Sequence, residues 1–154
     1  GKAIECSDSK TVANESSGWS IAVSNINISP EIVDWYEYEV AIQGWSVAQS
    51  APACMIGFVL FPFEKSVDSM DTYLASNLTD DHYTVNLCKL PYFRLYGKDT
   101  DCVNVQSKTK ANIKVGDRLK LRLDFKQTSI TLYYNDTEIG VLYKNVPVQP
   151  MVPA

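Results

Sequence analysis

Four aspartates that could together hold a cation lie in one stretch of the sequence, EKSVDSMDTYLASNLTDDH, residues 64–82. They are Asp68, Asp71, Asp80 and Asp81. Calcium loops place oxygen ligands at nearly alternate positions and use a glycine where the backbone bends sharply. Because this stretch has no glycine, a calcium-dependent, lectin-like sandwich that binds carbohydrate is kept only as an alternative. We expect no metal and no cofactor.

The cysteines and the single histidine form no metal or catalytic motif. Cys6, Cys54, Cys88 and Cys102 include no C-x-x-C pair, and zinc sites need about four nitrogen or sulfur ligands at close spacing. The four thiols could form two disulfides, but Cys54 lies in an apolar run, which favours a free buried thiol. His82 has no G-x-S-x-G partner motif, and no pair of acidic residues has a recognisable catalytic spacing. We therefore expect a protein that is not an enzyme.

Charge is divided unevenly along the chain, although the formal net charge is only -4. Residues 1–84 carry 12 acidic and 3 basic side chains, whereas residues 85–126 carry 10 basic and 4 acidic ones. A net negative charge disfavours a dedicated nucleic-acid binder, while the basic segment keeps an RNA-associated module as an alternative. The simpler hypothesis is that the two halves meet in the fold as cross-strand pairs. The candidates for such pairs are Glu37, Glu39, Lys120 and Arg122.

Alternation of apolar and polar side chains is the dominant pattern, and it predicts β-strands with one face in a core. It is strictest at residues 119–126, where Leu and Phe alternate with charged residues. It is also clear in WYEYEVAIQ, residues 35–43, and it continues through residues 130–134 after a short turn. Ile139, Val141 and Tyr143 are expected to extend the apolar face. The predicted core includes Val40, Leu121, Leu123 and Leu132, with Lys120 and Arg122 exposed.

The longest apolar run, CMIGFVLFPF at residues 54–63, is about half as long as a membrane-spanning helix. Its length and its flanking prolines predict a central strand that is buried on both faces. No long segment shows the period of 3.6 residues that is typical of a helix. Many short strands with turns between them predict an all-β fold, a two-layer antiparallel β-sandwich with little or no helix. We expect one domain over residues 1–154.

Two turns are predicted from residue type. Gly116 accepts a positive φ, and the side chain of Asp117 can cap the turn that it follows. Asp136 follows Asn135 at the next predicted turn, and aspartate tolerates left-handed backbone better than most residues. These two turns are therefore expected to bound the strand pair of the C-terminal third.

The order of these segments closely resembles the SPRY domain, the core of the B30.2/SPRY family. The resemblance rests on matches of sequence and spacing over about residues 18–154, and it includes two departures. Asp136 replaces the turn glycine of the family, and HYTVNL stands where the family has a Trp-Gly strand. The family usually continues beyond VQPMVPA with another strand, which leaves open a domain truncated at its C-terminal end. The matching segments are WYEYEV, MIGFVLFP, Val115-Gly116-Asp117, Leu123-Asp124, Tyr133, Asn135 and Ile139-Gly140.

The resemblance implies a non-catalytic protein-protein interaction module, such as an adaptor, that is part of a larger protein. It would bind a peptide or a folded partner through loops at one end of the sandwich, because loops vary while the sheets hold the frame. We expect the loop 64–82 and the segment 92–94 to lie at the same end and to flank a shallow cleft. The candidate partner-binding residues are Tyr73, Asn77, Asp80, Asp81, His82, Tyr92, Phe93 and Arg94.

The N-terminal stretch GKAIECSDSK is polar and shows no signal peptide, so an intracellular location, cytoplasmic or nuclear, is expected. We further expect an isolated monomer with no membrane association and no nucleic-acid partner.

Overall fold

The computed structural model describes residues 4–6, 12–14, 24–44, 55–62, 82–89, 92–97 and 114–154. For residues 4–6, 12–14, 55, 86–89 and 92–97 only the backbone is described. All regular secondary structure in these ranges is β. The strands are β1 (Ile4–Cys6), β2 (Val12–Asn14), β3 (Trp35–Ala41), β4 (Met55–Leu60), β5 (His82–Lys89), β6 (Tyr92–Gly97), β7 (Arg118–Asp124), β8 (Ser129–Tyr134), β9 (Thr137–Lys144) and β10 (Met151–Pro153).

Two four-stranded antiparallel sheets form the body of the fold. The first sheet has the strand order β3-β7-β8-β9, and the second has the order β10-β4-β5-β6. A separate pair, β1-β2, is also antiparallel. The all-β, two-layer architecture predicted from the alternation is therefore confirmed. No helix among the described residues is long and apolar enough to span a membrane.

The core fills the space between the two sheets, and tyrosines cross it. The ring of Tyr38 packs edge-on against that of Phe58, with centroids 5.3 Å apart, and its hydroxyl donates to the carbonyl of Gly57 (2.8 Å). From β9, the opposite edge strand of the first sheet, the Tyr143 hydroxyl donates to the carbonyl of Thr84 (2.5 Å). These contacts fix the spacing of the layers as well as burying apolar area. Other buried core residues include Ile56, Tyr83, Val85, Leu119, Leu121, Leu123, Ile130, Leu132, Leu142 and Met151.

The predicted core is mostly confirmed. Leu121, Leu123 and Leu132 are buried, as the strict alternation of β7 and β8 indicates. Val40 is only half-buried, because β3 is the outermost strand of its sheet. Lys120 and Arg122 were expected to be exposed, but only 26% and 34% of their side-chain surfaces are accessible. Both cations lie over aromatic rings, which accounts for their partial burial.

Strand β4 is central and buried on both faces, as the apolar run predicts. Its residues Ile56 and Phe58 face the core, while Val59 on the opposite face is also fully buried. Between them, Gly57 lies opposite Thr84 at very close range. A Cβ atom on Gly57 would come within 2.7 Å of the Thr84 Cα atom, so only glycine fits there.

Strand β9 departs from simple alternation. The register between β8 and β9 shifts twice, between Ile130 and Thr131 and again between Leu132 and Tyr133. Each shift is a β-bulge, which adds a residue to β9 and changes the face that later residues take. As a result Leu142 is fully buried and Val141 is only half-buried. The prediction that Val141 belongs to the apolar face with Ile139 and Tyr143 is therefore wrong.

The sandwich has two ends that differ in what they carry. At one end β3 begins, β4 ends at Leu60, β5 begins at His82, and the connection 145–150 joins β9 to β10. We call this the Trp35 end. At the opposite end, the Asp117 end, lie the turns before β7 and between β8 and β9. The hydrogen bond from the Phe61 amide to the Pro150 carbonyl (2.9 Å) joins strand connections at the Trp35 end.

Candidate functional site

Four of the predicted partner-binding residues, Tyr73, Asn77, Asp80 and Asp81, lie outside the described residues. Their assignment to a binding loop stays a prediction. The positions at which the intervening segment joins the sheet are described, however. It leaves after β4 and returns at β5, and both points are at the Trp35 end.

The sequence suggested that His82 is an exposed loop residue, but the structure shows it buried in a strand. It is the first residue of β5, opposite Val59 of β4, and only 2% of its surface is accessible. Its polar character indicated a loop, but residues 82–85 of β5 are buried on both faces of the sheet, including the outward-facing Thr84. In this fold the His82 side chain therefore offers no surface to a partner.

Tyr92, Phe93 and Arg94 begin β6, the outermost strand of the second sheet. Tyr92 pairs with Lys89 and Arg94 with Asn86, so the segment lies beside the last residues of β5. That is the Asp117 end, one strand length away from His82. The backbone of this segment is therefore distant from the two points where residues 63–81 leave and rejoin the sheet, because β5 runs from one end of the sheet to the other before β6 begins. Since the loop itself lies outside the described residues, the expected cleft between the loop and this segment stays a prediction.

A set of exposed apolar side chains marks the Trp35 end. Of the six large hydrophobic residues that are exposed in the described part of the chain, four are in segments at this end, and a fifth, Ile26, is in the segment that flanks β10. Only Val115 lies at the other end. The sequence pattern gives no sign of this set, which we call the apolar rim. Its members are Ile26, Ile32, Trp35, Phe61 and Val148.

Ile32, the most exposed member of the rim, lies in a tight turn. The amides of Ile32 and Val33 both donate to the carbonyl of Ser29, at 3.0 and 3.1 Å. The Ser29 hydroxyl accepts from the amide of Glu31 (3.3 Å) and closes the turn. These bonds hold the Ile32 side chain at 81% exposure, directly before β3 begins.

Other rim members are held by the backbone of neighbouring connections. The Phe61 amide donates to Pro150, two residues after Val148. Ile26 lies between Ser24 and Ile28, whose amides donate to Pro153 and Met151 of β10 at 2.9 and 2.8 Å. These segments are fixed by main-chain bonds, so the apolar side chains are presented on an ordered frame.

Trp35 lies where the rim meets the outer face of the first sheet. The guanidinium carbon of Arg122 is 4.4 Å from the centre of its ring, a distance typical of cation–π contacts. Beside it, the Lys126 ammonium donates to Asp34 (2.5 Å) in an exposed ion pair. Charge at this end is thus mixed and locally balanced.

The outer face of the first sheet confirms the predicted cross-strand pairing of the acidic and basic halves. Glu37 lies opposite Arg122, and Glu39 lies opposite Lys120. The ion pairs between β3 and β7 are diagonal, from Lys120 to Glu37 and from Arg118 to Glu39, each at 3.9 Å. Lys120 also lies 5.2 Å from the centre of the Tyr133 ring. The cations of β7 therefore have partners within the chain.

The Asp117 end is built around one buried carboxylate. The Tyr134 hydroxyl (2.6 Å) and the Lys114 amide (2.8 Å) donate to its Oδ2, and the Asn135 side-chain amide (3.0 Å) donates to its Oδ1. Burial acts to raise the pKa of Asp117, but these hydrogen bonds outweigh it and hold the pKa below its usual range. Burial and the same carboxylate raise the pKa of Tyr134 to about 12.

Both predicted turns are confirmed at this end. Gly116 has a φ of 95°, and Asn135 and Asp136 have φ values of 46° and 65°. Positive φ at both central residues is typical of the type I′ hairpin turn. The Asn135 side chain accepts from the amide of Arg118 (2.8 Å), which locks the two turns together. The carboxylate of Asp117 thus holds the two turns in place.

Within the ranges that the structure describes, no group of three or more His, Cys, Asp or Glu side chains could hold a metal ion. The four aspartates considered for calcium lie outside those ranges.

Comparison with known proteins identifies the fold. No family model matches the chain, and no curated protein matches it. Among solved structures it is similar to the SPRY domain of human HERC1, with a TM-score of 0.57 and 15% sequence identity. The match covers 85% of this chain and 69% of that one. The resemblance seen in the sequence is thereby confirmed at the level of the fold, an all-β SPRY-like sandwich.

Proposed function

We propose that this chain with a SPRY fold is a non-catalytic interaction module that binds a peptide or a folded protein through the Trp35 end. The observation that carries the proposal is the apolar rim. Several exposed apolar side chains at one end of a fold are typical of an interaction surface, since large apolar patches are otherwise avoided on protein surfaces. The SPRY fold supports the same class of function, because these domains are generally protein-interaction modules.

The rim supplies residues for the centre of such an interface. Phe61 and Ile32 are the anchors that we propose, since buried apolar and aromatic side chains contribute most of the binding free energy in interfaces. The segment between β4 and β5 joins the sheet beside Phe61, so Tyr73, Asn77, Asp80 and Asp81 are proposed to extend this surface. His82 is left out because it is buried.

Tyr92, Phe93 and Arg94 do not belong to this surface, since they begin β6 at the Asp117 end. Of the alternatives, an RNA-associated module gains no support from β7, whose cations are paired within the chain. We propose an intracellular adaptor role, with the isolated chain monomeric.

The test compares two charge insertions at opposite ends. Ile32→Asp with Phe61→Asp places two carboxylates in the rim, and Val115→Asp places one at the Asp117 end, where Val115 is also exposed. All three residues are exposed, so folding should change by less than about 0.5 kcal/mol per site. Proteins captured on immobilised wild type and on both variants are then quantified by mass spectrometry.

Partners that are lost from the rim variant and retained by Val115→Asp would support binding through the Trp35 end. Partners retained by the rim variant would exclude that end as the binding surface. Thermal unfolding of each variant shows whether the chain is still folded.

A further inference from the structure

Among the described residues, strand β3 forms one edge of the first sheet and has no neighbour beyond it. It is the outermost strand of the first sheet and pairs with β7 on one side only, in an unbroken register from Trp35 opposite Asp124 to Ala41 opposite Arg118. An edge strand of this length presents a row of main-chain donors and acceptors to whatever can pair with it.

The register shows which main-chain groups face the open edge. The Phe125 amide donates to Asp34 (3.0 Å), and the Ile42 amide donates to Asp117 (2.9 Å), so the even-numbered residues of this segment point toward β7. Main-chain direction alternates along an antiparallel strand. The N–H and C=O groups of Trp35, Glu37 and Glu39 therefore point outward, away from β7.

The other three edges of the two sheets differ from this one. In the first sheet, β9 carries two bulges, which twist an edge away from regular pairing. In the second sheet, β10 is flanked by the segment 24–28 through main-chain bonds to Ser24 and Ile28. The register of β6 against β5 is also broken by a bulge. Only β3 offers an edge that is both regular and unflanked in the described part of the fold.

The two faces of β3 specify different side chains in an added strand. On the outer face, Glu37 and Glu39 are exposed, and their ion pairs to the first sheet are long, at 3.9 Å. Each of these carboxylates has about four lone-pair sites, so both can pair with further cationic side chains. On the inner face, Tyr36, Tyr38 and Val40 are only half-buried at the border of the core. In an added strand, basic residues would lie beside the glutamates of the outer face, and apolar residues would lie beside the half-buried side chains of the inner face.

We propose that the open edge of β3 binds an extended peptide in which Lys or Arg alternates with apolar residues. The peptide adds a fifth strand to the first sheet, and main-chain bonds to Trp35, Glu37 and Glu39 hold it. Its basic side chains pair with Glu37 and Glu39, and its apolar side chains cover Tyr36 and Val40. This site adjoins the apolar rim at Trp35, whose main chain it uses, but it does not depend on the function proposed for the rim.

The test uses three six-residue probes. The first is Lys-Val-Lys-Val-Lys-Val, the second replaces each Lys by Glu, and the third, Lys-Lys-Lys-Val-Val-Val, keeps the composition but loses the period of two. Calorimetry is expected to detect binding of the first probe only. Equal binding of the first and third probes would show attraction to the net negative chain without strand addition, and would overturn the proposal.

Amide hydrogen exchange distinguishes strand addition from any other binding. In the free chain the outward amides of Glu37 and Glu39 should exchange quickly, while those of Tyr38 and Val40 are protected by pairing with β7. With the first probe at ten times its Kd, exchange at Glu37 and Glu39 should slow about tenfold, because about one molecule in ten is free. Outward amides that are already protected in the free chain, or unchanged by the probe, would overturn the proposal.

Matched variants assign the charge recognition. Glu37→Gln with Glu39→Gln should weaken binding of the first probe about five- to tenfold, since cross-strand charge pairs contribute modestly each. Glu138→Gln, at an exposed position on the opposite edge strand, should leave binding unchanged. Phe61→Asp, in the apolar rim, should also leave binding of the first probe unchanged. Failure of the proposal for β3 can therefore be told apart from failure of the proposal for the rim. Unchanged binding in the Glu37/Glu39 variant would refute the proposed charge pairing.

Discussion

Asp117 illustrates how one polar residue organises an end of this fold. A carboxylate buried without partners would lose ionisation, but three donors meet this one and keep its pKa low. Two of those donors come from the neighbouring hairpin, so the charge of Asp117 joins the turn before β7 to the turn after β8. Its ionisation is therefore linked to the free energy of unfolding.

Replacement of Asp117 by Asn should lower the free energy of unfolding by about 1–3 kcal/mol at pH 7, since acceptors for buried donors are lost. Because the folded pKa is below the usual value of about 3.9, the contribution of this carboxylate is complete above about pH 4. It is lost as the pH falls through the lowered pKa. Urea unfolding at pH 7 and pH 2.5 should show a smaller pH effect in Asp117→Asn than in wild type. Glu138→Gln, at an exposed position in β9, is the control that should behave as wild type.

Gly57 gives a second prediction for a single residue. Gly57→Ala should lower the free energy of unfolding by about 1–3 kcal/mol or more, because its Cβ would overlap Thr84 in the adjacent strand. Gly44→Ala is the matched control, since a Cβ there would meet nothing within 4 Å. Equal denaturation midpoints for the two variants would contradict the close approach of β4 and β5.

Strands β7, β8 and β9 show what alternation determines and what it misses. The pattern predicts the faces of β7 and β8 because their side chains keep a period of two across regular ladders. In β9 two bulges insert residues, and the pattern cannot reveal them, since Val141, Leu142 and Tyr143 are all apolar. Register in such a strand is decided by its partner rather than by its own sequence.

Truncation along β9 tests the bulges directly. Leu142→Ala should cost about 2–5 kcal/mol, as expected for a fully buried leucine. Val141→Ala should cost clearly less, since Val141 is half-buried on the outer face. Alternation without bulges predicts the reverse order, so chemical denaturation of the two variants decides between the two registers.

At the scale of the whole molecule, the sheets are joined by hydroxyl groups as well as by apolar packing. Tyr143 reaches Thr84 from one layer to the other, and Tyr38 does the same toward Gly57. Layers that share only apolar contacts can slide, whereas hydrogen bonds of defined direction select one alignment. The relative placement of the two ends follows from this alignment.

Tyr143→Phe should therefore lower the free energy of unfolding by about 0.5–1.5 kcal/mol, the usual net contribution of one hydrogen bond. Tyr133→Phe, on the outer face of the first sheet, should change it less. Thermal or urea unfolding measures both. A Tyr143→Phe variant as stable as wild type would mean that the hydroxyl does not contribute to joining the layers.

The fold could be predicted from the sequence much further than the candidate site. The alternation of apolar and polar residues, together with the apolar run that forms β4, indicates which strand faces are buried. Both patterns are local properties of the chain. The apolar rim has no such signal, because Ile32, Phe61 and Val148 are isolated residues in separate turns that only the fold brings to one end. The burial of His82 and the position of Tyr92 depend on where β5 begins and how far it runs, which the local sequence does not specify.

The two edges of the first sheet differ in a way that limits polymerisation. Growth of a fibre by strand addition needs two open edges on each subunit, so that every added copy leaves a new one. Here β9 is bulged and β3 is regular, so two copies joined through β3 would leave only bulged edges outward. The carboxylates of Glu37 and Glu39 on both copies would also repel each other in such a pair. Within the part of the fold that the structure describes, the first sheet thus resists open-ended strand addition while the β3 edge stays available for pairing.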